Sequence, residues 1–269
     1  MKLCNNRSSI SNQSSRPLLI VEHLTAGYTS TKDAHPPTVQ DVSLTVAAGE
    51  LVALLGLNGA GKSTVLKAIM RQPQLAQITG VVRLGDTVVS GLPTHRICQL
   101  GIAFVPQSGE VFPSLSVREN LSVGNPRHMV RQQEQHMFTL FPSLKEHVGQ
   151  LASTLSGGER KMLGLARALM KSPRVLLLDE PSSGLAESVL QEVCDLLLHL
   201  KREGMAVLLV EQKVRIALQL AERAIILKRG SIDHQIEDPM TQDTSTQGLS
   251  RLFFSPSESS TQEVRASNY

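Results

Sequence analysis

Residues 56–64 combine glycines, a lysine and two hydroxyl side chains in a spacing that suits phosphate binding. They read Gly-Leu-Asn-Gly-Ala-Gly-Lys-Ser-Thr, follow an apolar run, and match the pattern G-x-x-x-x-G-K-[ST]. Glycines let the chain curl so that backbone N–H groups face an anion, while Lys62 adds a positive charge and Ser63 a hydroxyl for Mg²⁺. An ordinary glycine-rich turn is the alternative. The pattern predicts a phosphate-binding Walker A loop whose candidate ligands are Gly56, Asn58, Gly59, Ala60, Gly61, Lys62, Ser63 and Thr64.

Two adjacent carboxylates follow a second apolar run. Val175–Leu178 has the pattern of a buried strand, and Asp179 and Glu180 come directly after it. Asp179 is the candidate for holding Mg²⁺, directly or through water, and Glu180 is the candidate for polarising an attacking water molecule. A strand that ends in a solvated acidic turn is the alternative. Combined with the loop, this Walker B pattern predicts ATP hydrolysis with Mg²⁺.

A third motif, Leu155-Ser-Gly-Gly-Glu159, lies at the start of an amphipathic segment and shortly before the acidic strand. Alone, Ser156 would be read as an ordinary helix N-cap. Between the two nucleotide motifs it resembles the signature of the ABC ATPase family, and the resemblance covers about residues 18–235. In that family the signature binds the γ-phosphate of ATP held by the opposite subunit. The resemblance therefore implies a dimer in which Ser156, Gly157 and Gly158 bind the partner's nucleotide.

The same resemblance assigns roles to three further places. Tyr28 lies where the family has an aromatic that stacks on adenine, although an ordinary half-buried tyrosine is the alternative. Gln107, after the strand pattern Ile102–Val105, resembles the Q-loop glutamine that senses Mg²⁺ and the attacking water. Val111–Leu121 is similar to the surface that receives the coupling helix of a membrane subunit, with simple amphipathic packing as the alternative.

Two departures from the common family pattern point to one branch. The strand pattern Val207–Val210 is followed by Glu211 and Gln212, where most members place a histidine that contacts the γ-phosphate. A glutamine can donate and accept hydrogen bonds but cannot carry the proton that an imidazole carries. The segment Ser182–Ala186 also lacks the usual final aspartate. Both features resemble the LivF-type second ATPase of branched-chain amino acid importers and of related urea and short-chain amide importers.

The strands that must position these residues show two kinds of sequence pattern. Short, wholly apolar runs are typical of parallel strands buried on both faces. They are Leu51–Leu55, Ile102–Val105, Val175–Leu178, Val207–Val210 and Ala224–Leu227. Other segments predict a small antiparallel sheet. Two of its strands flank a Gly/Thr/Pro-rich stretch at Gly27–Pro37, and a further segment forms a hairpin that turns at Gly85 and Asp86. These segments are Leu18–Glu22, Val39–Val46 and Val81–Val89.

Helical patterns separate the strands. Gly158–Lys171 carries apolar residues at helical spacing and is followed by Pro173, and a second helix follows Lys62. We therefore predict an α/β fold of the P-loop NTPase (RecA-like) class, with a mostly parallel core sheet, an N-terminal antiparallel β subdomain and an inserted α-helical subdomain. The predicted units are a flexible segment at 1–17, an ATPase domain at 18–236 with its helical subdomain at about 108–157, and a polar tail at 237–269.

The composition of the chain limits the classes of protein to which it can belong. The chain has 269 residues, 41% of them hydrophobic, which is globular composition. No apolar run reaches the roughly 18 residues that span a bilayer, and Met1–Arg16 lacks the apolar core of a signal peptide. Cys4, Cys98 and Cys194 are isolated, which argues against a disulfide framework or a zinc site. The net charge is +3, with +7 on residues 1–230, a surplus that suits a polyanion such as ATP or a merely solvated surface.

These observations favour the ATPase subunit of an ABC importer at the cytoplasmic face of the plasma membrane. The resemblance implies as partners a second, nonidentical ATPase subunit, transmembrane permease subunits and, through the permease, a solute-binding protein. A soluble ABC ATPase acting on nucleic acid or protein assemblies is the alternative. Relatives of that soluble kind usually carry tandem cassettes or long coiled coils, whereas this chain shows neither heptads nor a second P-loop. We therefore expect no direct nucleic-acid contact. A P-loop kinase would not explain Leu155–Glu159.

Overall fold

The computed structural model describes residues 16–28, 36–243 and 248. Most of the predicted flexible segment 1–17, most of the predicted tail 237–269 and the centre of the stretch 27–37 lie outside the described residues. The described strands are β1 Pro17–Tyr28, β2 Val39–Ala47, β3 Leu51–Leu55, β4 Leu75–Leu84, β5 Thr87–Val88, β6 Ile102–Val105, β7 Val175–Asp179, β8 Ala206–Val210, β9 Arg223–Lys228 and β10 Ser231–Ile236. The described helices are α1 Lys62–Ile69, α2 Thr94–Leu100, α3 Val117–Ser122, α4 Arg127–Leu140, α5 Pro142–Glu146, α6 Gly157–Leu169, α7 Glu187–Arg202 and α8 Val214–Leu220.

A six-stranded sheet forms the core, in the order β10-β9-β3-β8-β7-β6. The strands from β9 to β6 in this order are parallel, and β10 pairs with β9 in antiparallel fashion at the edge. Every residue of β3, β7 and β8 is buried, because helices cover one face of the sheet and the antiparallel sheet, with α1 and α2, covers the other. All five predicted parallel strands are confirmed, and the antiparallel edge strand β10 was not predicted.

A second, antiparallel sheet has the order β2-β1-β4-β5. The hairpin between β4 and β5 turns at Gly85 and Asp86, as predicted, with Arg83 opposite Val88. β1 runs on to Tyr28 instead of ending near Glu22. Register shifts interrupt β1 after Val21, and His23 has a left-handed φ of 53°. These bulges break the alternation of apolar and polar residues from which the strand was predicted.

The polar stretch between β6 and β7 is helical, as predicted. The helices α3, α4 and α5 pack with α6 around shared apolar side chains, including Val117, Met137 and Phe141, which join the core cluster. The helix α6 ends at Leu169, two residues before the predicted end. Ser172 adopts a left-handed φ of 47° and Pro173 follows it, so the helix cannot continue. The predicted fold class, with a mostly parallel core, an antiparallel sheet and an inserted helical region, is confirmed.

The topology also sets where the polar motifs lie. Parallel strands present their carboxyl ends at one edge of a sheet, and side chains placed there converge. The segments that follow β3, β6, β7 and β8 carry the glycine-rich loop, Gln107, Glu180 and Gln212 respectively. Among the described residues, no helix has both the length and the apolar character required to cross a membrane.

Candidate active site

The glycine-rich loop connects β3 to α1 at the carboxyl edge of the core sheet. Gly61 precedes α1 with φ of 103°, a left-handed backbone that favours glycine. At Gly56 the reason for glycine is space, because a Cβ there would lie 2.4 Å from the carbonyl oxygen of Leu227. The loop thus packs directly on the backbone of β9, and it leads into the N-terminus of α1, where free N–H groups favour an anion.

Lys62, the first residue of α1, is only 5% exposed. Its Nζ donates to the carbonyl oxygens of Gly56, at 2.8 Å, and Leu57, at 3.2 Å, so the ammonium folds back over the loop. Burial lowers the pKa of Lys62, while the negative charges of Glu180 and Asp179 oppose that shift. The loop therefore contains a largely buried cation whose nearest counter-charges come from β7 and the residue after it.

Ser63 and Asp179 meet across the site, with the Ser63 hydroxyl donating to Asp179 Oδ1 at 2.8 Å. Burial raises the pKa of Asp179, the hydrogen bond from Ser63 lowers it, and the charge of Glu180 raises it further. One hydroxyl and one carboxylate are oxygen ligands of the kind Mg²⁺ prefers, and Mg²⁺ usually adds substrate phosphates and water. Within the described ranges no cluster of three or more His, Cys, Asp or Glu offers an all-protein metal cage. The pair fits Mg²⁺ bound together with a phosphate.

Glu180 lies at the centre of a hydrogen-bonded triplet. Its Oε1 accepts from Gln212 Nε2 at 2.6 Å, and its Oε2 accepts from Gln107 Nε2 at 2.7 Å. The residue has a left-handed φ of 49°, a conformation that costs a non-glycine residue about 1–2 kcal/mol. Strain of this kind persists where surrounding contacts enforce it, and it occurs preferentially at functional sites. Each carboxylate oxygen of Glu180 therefore accepts a hydrogen bond from a side-chain amide.

Tyr28 lies at the end of β1, beside α1. Its side chain is 46% exposed, and its hydroxyl is 3.4 Å from Thr64 Oγ1. The ammonium of Lys67 is 6.0 Å from the centre of the ring. The ring thus stands next to the glycine-rich loop with one side open to solvent, where a planar base can reach it.

Ser156 caps α6 through a capping box. Its Oγ accepts from the N–H of Glu159, and the Glu159 carboxylate accepts from the N–H of Ser156 at 2.7 Å. These backbone and side-chain hydrogen bonds hold the pKa of Glu159 below its usual range. Throughout residues 36–243, no hydrogen bond links Ser156–Gly158 to the glycine-rich loop. The structure therefore gathers the loop, Gln107, Asp179, Glu180 and Gln212, and leaves the signature triplet apart from them.

Two buried polar residues were not singled out as site residues from the sequence. Glu211 is 2% exposed and accepts hydrogen bonds from three backbone N–H groups. Asn120 is fully buried and bonds both the N–H and the carbonyl of Phe112, which shapes the segment after Gln107. A charged residue directly after a wholly apolar strand, and an asparagine within an amphipathic helix, are the sequence signals that could have found them.

The contact between Gly56 and β9 leads to a stability prediction. Gly56→Ala would force a methyl group against a backbone carbonyl that cannot yield, so we expect destabilisation by about 1–3 kcal/mol. The melting temperature would then fall by roughly 2–12 °C. Gly149→Ala is the matched control, because a Cβ there meets no atom within 4 Å. Equal melting temperatures for the two variants, measured calorimetrically without nucleotide, would contradict the packing described here.

Comparison with known proteins decides the family. The ABC transporter family model matches residues 39–183, more than half of the chain. The chain belongs to the ABC transporter family. Family membership makes it an ATP-binding and ATP-hydrolysing subunit of a transporter, with the P-loop NTPase fold.

Several curated members of the ABC transporter family resemble the chain over most of their length. It is 45% identical to the high-affinity branched-chain amino acid transport ATP-binding protein BraG of Pseudomonas aeruginosa, over 72% of this chain and 84% of that one. It is 36% identical to a probable branched-chain amino acid transport ATP-binding protein, LivF, of Archaeoglobus fulgidus, over 78% and 87%. It is also 36% identical to the lipopolysaccharide export system ATP-binding protein LptB of Escherichia coli strain K12, over 76% and 87%. The resemblance to a LivF-type ABC ATPase is confirmed.

Solved structures of ABC cassettes share the fold. A dimeric ATP-binding cassette in a post-hydrolysis state, bound to ADP and Pi, superposes with a TM-score of 0.72 at 23% identity, over 81% of this chain and 98% of that one. The ADP conformation of another ABC transporter cassette gives a TM-score of 0.73 at 21% identity, over 87% and 98%. At these identities the likeness concerns the fold alone.

Proposed function

We propose that this subunit energises an importer whose cargo is branched-chain amino acids. The observation that carries the proposal is the 45% identity to the Pseudomonas aeruginosa branched-chain amino acid ATPase, against 36% for the lipopolysaccharide export ATPase of Escherichia coli. The ending Val210-Glu211-Gln212 supports it, since that ending is typical of the LivF-type branch. Urea and short-chain amides are the other cargo class of that branch.

ATP binds at the glycine-rich loop in this proposal. Backbone N–H groups from Gly56 to Thr64 face the phosphates, as does the N-terminus of α1, and the Lys62 ammonium adds a charge that is already largely desolvated. The exposed ring of Tyr28 stacks on adenine, held near α1 by its contact with Thr64. Ser63 and Asp179 hold Mg²⁺, which supplies charge neutralisation at the phosphates when bound. Gln107 donates to Glu180 through its Nε2, so its amide oxygen would be available to the metal and to the attacking water.

Glu180 is the general base. Its carboxylate takes the proton of the attacking water, and the amides of Gln107 and Gln212 orient it by donating to both oxygens. An amide at Gln212 can hold the carboxylate, but it cannot supply the positive charge of a histidine to the transition state. The composite site that contains this Gln212 should accordingly hydrolyse ATP more slowly than a site with histidine.

The assembly follows from the separate position of the signature. Ser156, Gly157 and Gly158 bind the nucleotide of a second ATPase subunit, so that ATP lies between two subunits placed head to tail. The ATPase domain comprises residues 18–236, with a helical subdomain at about 108–157. The permease docks on Val111–Leu121, where Phe112 is exposed and stacks against the Arg167 guanidinium, 4.6 Å from its ring centre. The complex works at the cytoplasmic face of the membrane with a solute-binding protein outside.

Replacing Gln212 by histidine tests the proposed inequality of the two sites. With the second subunit's own site inactivated, we expect Gln212→His to raise turnover by roughly 3- to 10-fold, because an imidazole can carry the missing charge. Gln191→His, on the exposed face of α7, is the matched control and should leave turnover unchanged. An unaltered rate in Gln212→His would show that position 212 does not limit hydrolysis.

Transport measurements test the cargo. Deletion of the gene should abolish high-affinity uptake of radiolabelled leucine, isoleucine and valine, and the wild-type gene should restore it while a Glu180→Gln gene should not. A tag on the chain should copurify permease subunits and a second ATPase. Lost uptake of urea or acetamide with intact leucine uptake would assign the other cargo class. Copurification of ribosomes or nucleic acid without any membrane subunit would favour the soluble ABC ATPase and reject the transport proposal.

A further inference from the structure

The loop that follows Glu180 is tied to the end of β8 by one buried carboxylate. Glu211 Oε1 accepts from the N–H of Ser182 at 2.9 Å. Its Oε2 accepts from the N–H groups of Gln212, at 3.0 Å, and Lys213, at 3.2 Å. The Ser182 bond crosses between two strands, because Ser182 follows β7 and Glu211 follows β8. This side chain thus adds a second tie between the segment that carries Glu180 and the segment that carries Gln212, beside the backbone hydrogen bond from the N–H of Glu180 to the carbonyl oxygen of Val210 at 2.9 Å.

The carbonyl groups of the same loop face two ammonium groups. Lys161 Nζ donates to the carbonyl oxygen of Ser183 and, at 3.5 Å, to that of Pro181. Lys213 Nζ is 3.4 Å from the carbonyl oxygen of Ser182. Burial lowers the pKa of Lys161, while the charges of Glu211 and Glu180 raise it, so this ammonium lies in the field of both carboxylates. All the carbonyl groups from 181 to 183 are therefore anchored.

Lys161 also connects the loop to a different part of the fold. It lies on α6, the helix capped by Ser156. The same helix packs against the segment after Gln107, because a Cβ on Gly164 would lie 2.4 Å from the carbonyl oxygen of Gly109. A rigid displacement of α6 would consequently move both the Gln107 segment and the 181–183 backbone.

We propose that Glu211 and Lys161 are positioning residues for Glu180: Glu211 fixes the spacing between Glu180 and Gln212, and Lys161 transmits the position of α6 to the loop that bears Glu180. Within residues 36–243 neither side chain hydrogen-bonds to Glu180, so both act through the loop backbone. The left-handed φ of Glu180 makes such support necessary, since the conformation is unfavourable without it. The inference rests on the proposed role of Glu180 as general base.

Substitutions at both positions, made in the complex purified by a tag on this chain, separate positioning from general stability. Glu211→Gln keeps the size of the side chain but turns an NH₂ group toward N–H donors. We expect kcat for ATP hydrolysis to fall roughly 10- to 100-fold, as for a displaced catalytic group, with KM and nucleotide affinity within about twofold. Lys161→Met should lower kcat in the same way, and Lys161→Arg, which keeps charge and donors, should restore most of it. Lys171→Met, on the exposed turn after α6, is the control and should not change kcat.

A double variant supplies the decisive readout. In a Glu180→Gln background there is no base to position, so Glu211→Gln should cause no further loss of the residual hydrolysis. If Glu211→Gln lowers kcat by the same factor with and without Glu180, the inference is wrong. A wild-type kcat in Lys161→Met would also overturn it, and this variant provides the test if Glu211→Gln does not fold. If Glu180→Gln alone keeps full activity, the proposed base is wrong, and that single variant shows it independently of Glu211.

Discussion

Glu180→Gln should reduce ATP hydrolysis by roughly 10²–10⁴-fold while leaving nucleotide binding intact, because loss of a general base removes proton transfer from the transition state. The change is nearly isosteric and preserves one of the two oxygens that accept from Gln107 and Gln212. The loop and its lysine are untouched. Turnover measured in the tag-purified complex, with affinity for a fluorescent ATP analogue measured on the same preparation, checks both halves of this expectation.

A second glutamate provides the matched control. Glu192→Gln makes the same chemical change on the exposed face of α7 and should leave turnover at the wild-type value. Near-full hydrolysis by the Glu180→Gln complex would refute the assignment of Glu180 as the base. A loss of nucleotide affinity together with turnover would instead show that Glu180 supports the binding site.

Lys62→Met should weaken ATP binding and hydrolysis together. A hydrogen bond to a charged group contributes about 1.5–3 kcal/mol, so we expect affinity to fall by roughly 10- to 100-fold. A cation aimed at developing phosphate charge adds more in the transition state, and turnover at saturating ATP should drop by roughly 10²–10³-fold. The methionine keeps most of the length of the side chain, but Gly56 and Leu57 lose the donor to their carbonyl groups. Titration with nucleotide and steady-state kinetics measure the two effects separately.

The control for Lys62 is a lysine far from the loop. Lys171→Met removes the same charge at an exposed position and should change neither affinity nor turnover. If Lys62→Met bound ATP as tightly as the wild type, the ammonium would have no part in phosphate binding. A melting temperature recorded for each variant shows whether the fold has survived the exchange.

Much of the site could be predicted because its motifs are contiguous and their chemistry is local. The glycine-rich loop is constrained by backbone conformation and space within a few residues, as the φ of Gly61 shows. The apolar runs revealed the parallel strands, since strands covered on both faces tolerate few polar residues. The end of β1 was missed, because bulges near His23 interrupt the alternation on which the prediction depended.

The contacts that join distant segments could not be predicted in this way. Gln107 and Gln212 were candidates, but only the order of the strands shows that both donate to Glu180, since β6, β7 and β8 are neighbours in the sheet. Glu211 was passed over for the same reason. Its three acceptor contacts include Ser182, 29 residues earlier in the chain, and no local pattern encodes such a pairing.

The amino-acid sequence was therefore sufficient to locate the phosphate loop, the acidic pair and the signature motif and to predict the α/β class. Each of these depends on residue types at short, regular spacings. Folding was needed to show that the glycine-rich loop, Gln107, Asp179, Glu180 and Gln212 form one centre, and that Ser156–Gly158 lie outside it. The physical reason is that parallel strands bring the ends of remote segments to a single edge, where hydrogen bonds over a few ångströms depend on strand order and register. This centre also has internal support, because the buried carboxylate of Glu211 and the ammonium of Lys161 on α6 both bond to the backbone of the loop that follows Glu180.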